Sequence, residues 1–171
     1  MVTGALIGRF QPFHLGHLHA IKYCLRSVSD LVIILGSALT SHTLKNPFTA
    51  RERIQMISLA LSEAGISRER YIIIPVPDIG KHSLWVSLVE SLTPPFSIVF
   101  SNDPLTKVLF EEAGYDVKGI PFIKREIFSG EEFRKRVLNG RNWREIVPKS
   151  VADFLEKNRL LERLIKLAGR I

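Results

Sequence analysis

Short runs of consecutive apolar residues, many of them β-branched, alternate along the chain with longer segments whose apolar positions recur every three or four residues. The short runs are Ala5-Leu6-Ile7, Leu31 to Leu35, Tyr71 to Val76, Phe96 to Phe100 and Tyr115 to Val117. Bounded by Gly, Pro and Asn, they read as strands. The continuous run Leu31 to Leu35 reads as a strand buried on both faces, and such strands belong to parallel sheets covered by helices. Helical spacing predicts a first helix over Leu15 to Val28, carrying Leu18, Ile21, Leu25 and Val28. A second runs to about Ala64 with Ile54, Ile57 and Leu61, a third from Trp85 through Leu92, and a fourth past Val108, Leu109 and Phe110 to Gly114. From Trp143 the chain reads as amphipathic helix, reopened by Pro148, interrupted at Asn158 and ending in the stripe Leu160, Leu161, Leu164, Ile165 and Ala168. Strands alternating with helices predict a doubly wound α/β fold with right-handed crossovers. Strand order is not legible in the pattern.

Local chemistry sharpens several boundaries. Thr49 with Glu52 three residues on forms a capping box ahead of the second helix, and Gly65 supplies its stop. Asp103 and Pro104 are an N-cap and a first helical residue. Ser129 and Glu132 repeat the capping-box spacing, so a helix with free N–H groups starts there, with Arg134 in its first turns.

A chain of 171 residues, 46% hydrophobic, suits one domain with one core, spanning 1–171 with C-terminal helices from about 129. No apolar run approaches the roughly 18 residues of a membrane span, and the start has no basic leader, so a cytoplasmic protein without a membrane partner is expected. Cys24 is the single cysteine, which excludes an internal disulfide and thiolate metal sites and suits core packing. The net charge of +7 is concentrated: residues 121–171 hold 13 Lys/Arg against 7 Asp/Glu, residues 1–120 hold 11 against 10. A basic third of this kind serves polyphosphate substrates, nucleic acid or a solvated helix face. Without a nucleic-acid module or interleaved exposed aromatics, no nucleic-acid partner is expected.

The most informative stretch is Gly8-Arg9-Phe10-Gln11-Pro12-Phe13-His14-Leu15-Gly16-His17, between the first strand and the first helix. His14 and His17, three apart, put both imidazoles on one side of the opening turn. A helix N-terminus presents unpaired N–H groups and partial positive charge, which attract phosphate and keep nearby imidazoles neutral. Gly16 lets a phosphate approach the backbone, and Arg9 offers a guanidinium for paired phosphate contacts. Two other readings compete with phosphate binding: a metal site of His14, His17 and His19, though no Cys or carboxylate completes it, and a plain turn with surface histidines.

Further candidates sit in loops that follow strands. Ser41, His42 and Lys45 are anion donors in a loop whose polarity alone would also account for them. Asp78 stands beside Gly80, and Trp85 either joins the core or offers a flat face to an aromatic ring. Ser101, Asn102 and Asp103 follow the fourth strand, where a ribose or adenine could be hydrogen-bonded, although capping explains Asp103. Arg134 after Ser129 makes a second anion site, or is solvated beside Lys135 and Arg136. Neither a P-loop nor Gly-x-Gly-x-x-Gly is present.

His-x-Gly-His after a first strand resembles the signature of the nucleotidyltransferase superfamily that includes class I aminoacyl-tRNA synthetases. Its longer context, Gly8 to His14, resembles the archaeal-type nicotinamide-nucleotide adenylyltransferases, which join nicotinamide mononucleotide (NMN) to ATP to make NAD. The likeness continues through Gly36-Ser37, Ser41-His42-Thr43, Asn46-Pro47-Phe48-Thr49-Ala50, Leu92-Thr93-Pro94-Pro95-Phe96 and the Ser129 motif. It implies a single-domain, three-layer α/β/α Rossmann-like fold with five parallel strands ordered 3-2-1-4-5. The loops after strands one and four would then flank the switch-point crevice. It also implies that His14, His17 and Arg134 are catalytic, and that ATP is held by Gly8, Arg9, Phe10, His14, Gly16, His17, Lys45, Ser101, Asn102, Ser129 and Arg134. NMN or NAD would meet Gly36, Ser37, Asp78, Ile79 and Trp85. Mg²⁺ would be held chiefly by substrate phosphates and water with no protein metal site, and the protein would be a homo-oligomer, plausibly a hexamer. Three departures mark this chain: Lys45 where some relatives have Arg, Asp103 where some have Asn, and Glu131 where Thr is usual.

Overall fold

In the computed structural model, which describes residues 1–169, the strands are β1 (Thr3–Gly8), β2 (Asp30–Leu35), β3 (Tyr71–Pro75), β4 (Ile98–Phe100) and β5 (Asp116–Lys118). They pair in parallel in the order β3-β2-β1-β4-β5, as the resemblance implies. The described helices are α1 (Leu15–Cys24), α2 (Ala50–Glu63), α3 (His82–Leu92), α4 (Pro104–Glu112), α5 (Gly130–Leu138), α6 (Lys149–Lys157) and α7 (Leu160–Leu167). Contacts gather the chain into two compact units. One comprises Met1–Arg9, Ala20–Ala38 and Ser67–Pro121, the other Phe10–His19, Leu39–Ile66 and Phe122–Ile171.

The first unit is built on the sheet. Ala5, Val32, Ile34 and Val99 form one buried cluster with Val86 and Val89 of α3 and Phe110 of α4, and Ile7, Ile74 and Trp85 pack against it. Leu31, Ile33 and Leu35, which alternate with Val32 and Ile34 and so point to the opposite face, are equally inaccessible. The β2 run is thus buried on both faces, and each fully buried aliphatic side chain there contributes roughly 2 kcal/mol. Gly4 is required on that face, because a Cβ would stand 2.8 Å from the Phe100 ring.

Helix α1 ends at Cys24, four residues before the predicted Val28. Arg70 donates to the carbonyls of Leu25 and Val28 at 2.8 and 3.1 Å, and Ser27 Oγ donates to that of Cys24 at 3.0 Å. Acceptors at a helix C-terminus are therefore satisfied without another turn. β4 starts at Ile98, not Phe96, and β5 at Asp116, not Tyr115. Of the stretch Trp143 to Pro148, predicted as helix, only Arg144–Ile146 winds, as a single 3₁₀ turn.

The second unit is helical: α2 packs on α6, α5 on α7, and α6 on α7. The Thr49–Glu52 box is complete, with Thr49 N–H donating to Glu52 Oε2 at 2.9 Å and Glu52 N–H to Thr49 Oγ1 at 3.2 Å. At Ser129 half of the expected box forms. Glu132 N–H donates to Ser129 Oγ at 3.1 Å, but the Glu132 carboxylate accepts from Arg136 and the Ser129 amide donates to Ile127 O. Arg53 of α2 has no exposed area and donates from Nε to Thr49 O at 3.2 Å. In the α7 stripe, Leu160 and Leu164 are buried while Leu161 and Ile165 are partly covered.

Candidate active site

The helix that follows β1 is capped by its own histidines. His14 immediately precedes α1, and His17 is the third residue of the helix. His17 N–H donates to His14 Nδ1 at 3.3 Å, and His14 N–H donates to His17 Nδ1 at 3.1 Å. This is the reciprocal geometry of a capping box, with two imidazoles replacing hydroxyl and carboxylate. Because each Nδ1 accepts a hydrogen bond, the proton of each neutral ring sits on Nε2, and both rings offer an Nε2–H donor. The rings stack with centroids 3.6 Å apart. Burial, helped by the charge of Arg134, holds His14 down at a pKa of about 3. Burial, then His14, holds His17 well below its ordinary value. The sequence expectation of neutral donors is met, with desolvation the larger cause.

Two residues of this loop carry packing roles that the sequence did not show. Phe10, placed among the phosphate contacts, is 1% exposed, and its ring lies 4.6 Å from that of His17. With Phe13, 5.5 Å from His17, it walls the imidazole from water, so its side chain has no face to offer a phosphate. Gly16 is needed, but to make room for His14. A Cβ there would stand 2.9 Å from His14 Cε1 and Nδ1 and 3.1 Å from Phe128 O.

Arg134 reaches the same loop from α5, donating from Nη1 to the Gln11 carbonyl at 2.9 Å. Gly130 permits the approach, since a Cβ would come within 2.8 Å of that nitrogen and 3.0 Å of Gln11 O. The Gln11 side chain is buried and grips the backbone of Phe48, donating to its carbonyl at 3.0 Å and accepting from its amide at 2.9 Å. Arg163 of α7 donates to Pro47 O at 3.1 Å and to both oxygens of Glu52 at 2.7 Å. Beside Arg134 a cleft of about 460 Å³ is lined by Lys45, Glu131, Lys135 and Asn139. Its cations suit a polyphosphate. Glu131 adds a carboxylate to the lining.

The remaining candidates lie in the sheet unit. Gly8 O accepts from Gly36 N–H at 2.8 Å, which ties the loop ends after β1 and β2 together. Arg9 is exposed, and Ser37 has φ 48°. Ser101 is buried and accepts from Asp103 N–H at 3.1 Å. Asn102 donates to Ile120 O at 2.7 Å and accepts from Ile120 N–H at 2.9 Å, so its side chain is engaged with the chain itself. Asp78 and Ile79 are exposed beside Gly80, at φ 71°. Trp85 combines the two readings of its sequence context. Its indole N–H donates to Pro77 O at 3.2 Å and its ring meets Phe110 edge-on, yet it stays partly exposed.

Thus the helical unit brings together His14, Gly16, His17, Lys45, Ser129 and Arg134. The sheet unit carries Gly8, Arg9, Gly36, Ser37, Asp78, Ile79, Trp85, Ser101 and Asn102. Gln11, Gly130 and the Glu52–Arg163 pair escaped the sequence reading. The available signal was a lone amide among the buried neighbours Phe10, Pro12 and Phe13. Among the described residues no group of three or more His, Cys, Asp and Glu could hold a metal ion, and no helix is long and apolar enough to cross a membrane.

A parallel α/β sheet followed by two neutral imidazole donors at a helix start, with a fixed guanidinium and a basic cleft, defines a class of protein that handles nucleotide phosphates. Within that class, the chain belongs to the cytidylyltransferase-like family, whose model matches residues 5–136. A nicotinamide-nucleotide adenylyltransferase of Pyrococcus furiosus is 45% identical over 172 residues, covering 100% of this chain and 92% of its own. That of Pyrococcus horikoshii is 45% identical over 171 residues, covering 100% and 91%. Among solved structures, a bifunctional NMN adenylyltransferase/ADP-ribose pyrophosphatase from Francisella tularensis, complexed with AMP and a Mn ion, superposes with a TM-score of 0.83 at 27% identity. The match covers 98% of this chain, which spans about half (52%) of that longer protein.

Proposed function

We infer that the chain transfers the adenylyl group of ATP to the 5′-phosphate of nicotinamide mononucleotide, giving NAD and pyrophosphate. The observation that carries the reading is the reciprocal histidine cap beside Arg134, in a chain matched over its whole length by relatives bearing that activity in their names. A phosphate monoester has its second pKa near 6 and is largely a dianion at neutral pH. One of its oxygens attacks the α-phosphorus, the bond from that phosphorus to the bridging oxygen breaks, and pyrophosphate departs with the electron pair. No proton has to be removed from the nucleophile, so no protein base is required.

The residues therefore align the reactants and neutralise charge. His14 and His17 donate from Nε2 to phosphate oxygens, and because both stay neutral across the physiological pH range their Nδ1 atoms keep accepting the cap bonds that aim those donors. Arg134, Arg9 and Lys45 supply fixed cations, and Gly8, Gly16, Ser129, Ser101 and Asn102 border the ATP. Gly36, Ser37, Asp78, Ile79 and Trp85 meet the nicotinamide nucleotide. The imidazoles at this site carry protons on Nε2 and its other side chains are mostly cationic. These groups suit a divalent metal, Mg²⁺ in our reading, that arrives on the phosphates and water. When bound, that ion lowers the negative charge of the triphosphate. We place the enzyme in the cytoplasm and take it to be a homo-oligomer, as the resemblance implies.

A panel assay tests the reading. Pyrophosphate should be released from ATP with nicotinamide mononucleotide, and not with pantetheine phosphate or flavin mononucleotide. Release with another acceptor alone would reassign the enzyme within the superfamily, and nucleotide binding without release from any acceptor would make it a binding module.

A further inference from the structure

We propose that Gln11 is a positioning residue for adenylyl transfer, holding the loop that carries Lys45 with its side chain and Arg134 with its main-chain carbonyl. The inference rests on the reading above and goes beyond it, because Gln11 touches no reacting atom in that scheme.

Four observations converge on it. Gln11 is 5% exposed, and its amide uses both ends on one residue, Phe48, whose side chain is wholly buried. Lys45 stands three residues before Phe48. The turn that contains Lys45 is closed by Thr43, whose Oγ1 accepts from Asn46 N–H at 3.0 Å and whose own N–H donates to Asn46 O at 3.2 Å. On the far side the same turn is held at Pro47 O by Arg163 and at Thr49 N–H by Glu52. Finally, the Gln11 carbonyl takes Arg134 Nη1, and Gly130 leaves space for it. One residue thus sets Lys45 and Arg134, which come from segments far apart in sequence, relative to the histidines that follow it by three and six positions.

A buried glutamine could merely satisfy a turn. What separates positioning from that is direction: the amide must donate toward Phe48 O and accept from Phe48 N–H, and a side chain that cannot do both releases the loop. In Gln11→Glu the ionised carboxylate presents two acceptors and faces Phe48 O with one of them. Once protonated it carries one O–H donor and one C=O acceptor and regains the native pattern. Burial and the facing carbonyl oppose ionisation. Arg134 favours it, as do Lys45 on the loop itself and Arg53, which donates to Thr49 O and Thr40 O, while the neighbouring Glu52–Arg163 pair and the two neutral histidines also face the loop. Gln11→Met keeps the length and loses both hydrogen bonds at every pH.

The test measures steady-state pyrophosphate release for wild type and both variants from pH 5.5 to 8.5, each variant normalised to wild type at the same pH, with thermal melts in parallel. At pH 8 both variants should lose about 10²-fold in kcat/KM for ATP, with KM for ATP raised and KM for nicotinamide mononucleotide unchanged. A misplacement of 1 Å is enough for a loss of that size. As pH falls, Gln11→Glu should recover at least about 10-fold relative to wild type, while Gln11→Met stays flat. Wild-type constants in Gln11→Met overturn the proposal. So does a Gln11→Glu profile parallel to that of wild type, or a loss confined to kcat that matches the unfolded fraction. If Gln11→Met has no cooperative melt, the Gln11→Glu profile and its KM for ATP decide alone. A wild-type enzyme that releases no pyrophosphate with this acceptor refutes the functional reading and not the role of Gln11.

Discussion

Replacing Gly16 by Ala separates catalysis from stability. The added Cβ would lie 2.9 Å from two atoms of the His14 ring and 3.1 Å from the main-chain oxygen of Phe128. Neither neighbour yields easily. The ring is stacked at 3.6 Å on His17 and accepts a hydrogen bond through Nδ1, and the carbonyl belongs to the turn leading into α5. Overpacking of this kind costs about 1–3 kcal/mol, while Ala in place of Gly inside a helix returns about 1 kcal/mol. The net loss is roughly 1 kcal/mol, a fall of only about 2–4 °C in Tm for a chain of this size. Catalysis should suffer far more. The displaced imidazole no longer aims its Nε2–H, and loss of one preorganised donor at developing phosphate charge lowers turnover by about 10²–10³-fold. Single-turnover pyrophosphate release at saturating substrates, beside a melting curve, measures both. A variant that melts a few degrees lower but turns over within about 3-fold of wild type would show that His14 is not held in place by the gap at Gly16, or contributes nothing to the step.

Three further outcomes follow from the geometry. Trp85→Ala should weaken binding of nicotinamide mononucleotide by removing a stacking surface worth about 1 kcal/mol beyond burial, whereas Arg134→Ala should lower turnover or ATP affinity; separate titrations of the two substrates test the split, and the opposite pattern would reverse the orientation of the substrates. Stability should be complete above about pH 6.5 and decline as pH falls from there toward 3. The folded pKa of His14 lies below its ordinary value, so the unfolded chain binds that proton first, at up to about 1.4 kcal/mol per pH unit for each such histidine. The imidazole resonances of His14 should accordingly not titrate between pH 8 and 5 by NMR, those of His17 should titrate below the ordinary histidine range, and a midpoint near 6.5 for either would contradict the downward shift. Arg163→Ala should cost roughly 2 kcal/mol in denaturant unfolding, since it removes charge-assisted bonds to a Glu52 that keeps its place at Thr49 N–H; an unchanged midpoint would mean the pair is compensated by water.

The parts legible in the sequence were those whose chemistry closes within a few residues. The β2 run, the Thr49–Glu52 box and the Asp103–Pro104 start all stand as read, because hydrophobic period and caps are local. The His14–His17 pair belongs with them, at a separation of three. What stayed hidden depends on distant partners. The early end of α1 is set by Arg70, more than 40 residues away. Gln11 meets Phe48 at a separation of 37, Arg163 meets Glu52 at 111 and Arg134 meets Gln11 at 123. Gly16 carries a packing constraint that no spacing rule reveals, since its Cβ would collide with a side chain two residues earlier whose rotamer is set by the fold. At Ser129 the expected reciprocal bond lost to a rival, as Arg136 sits one turn further on and draws the Glu132 carboxylate away.

The first turn of α1 holds no acidic residue, and its cap is made by His14 and His17 alone. That leaves the position closed to a common route of protein engineering. A redesign that optimises helix starts would write Ser, Asp or Asn at 14 and Glu at 17, and would gain on the order of 1 kcal/mol in helix stability. It would erase both Nε2–H donors in the same stroke. Selection for a hardier scaffold and selection for turnover therefore pull on the same two side chains. Thermostabilising libraries built on this fold should hold residues 14 and 17 fixed and seek their gains at α6 and α7.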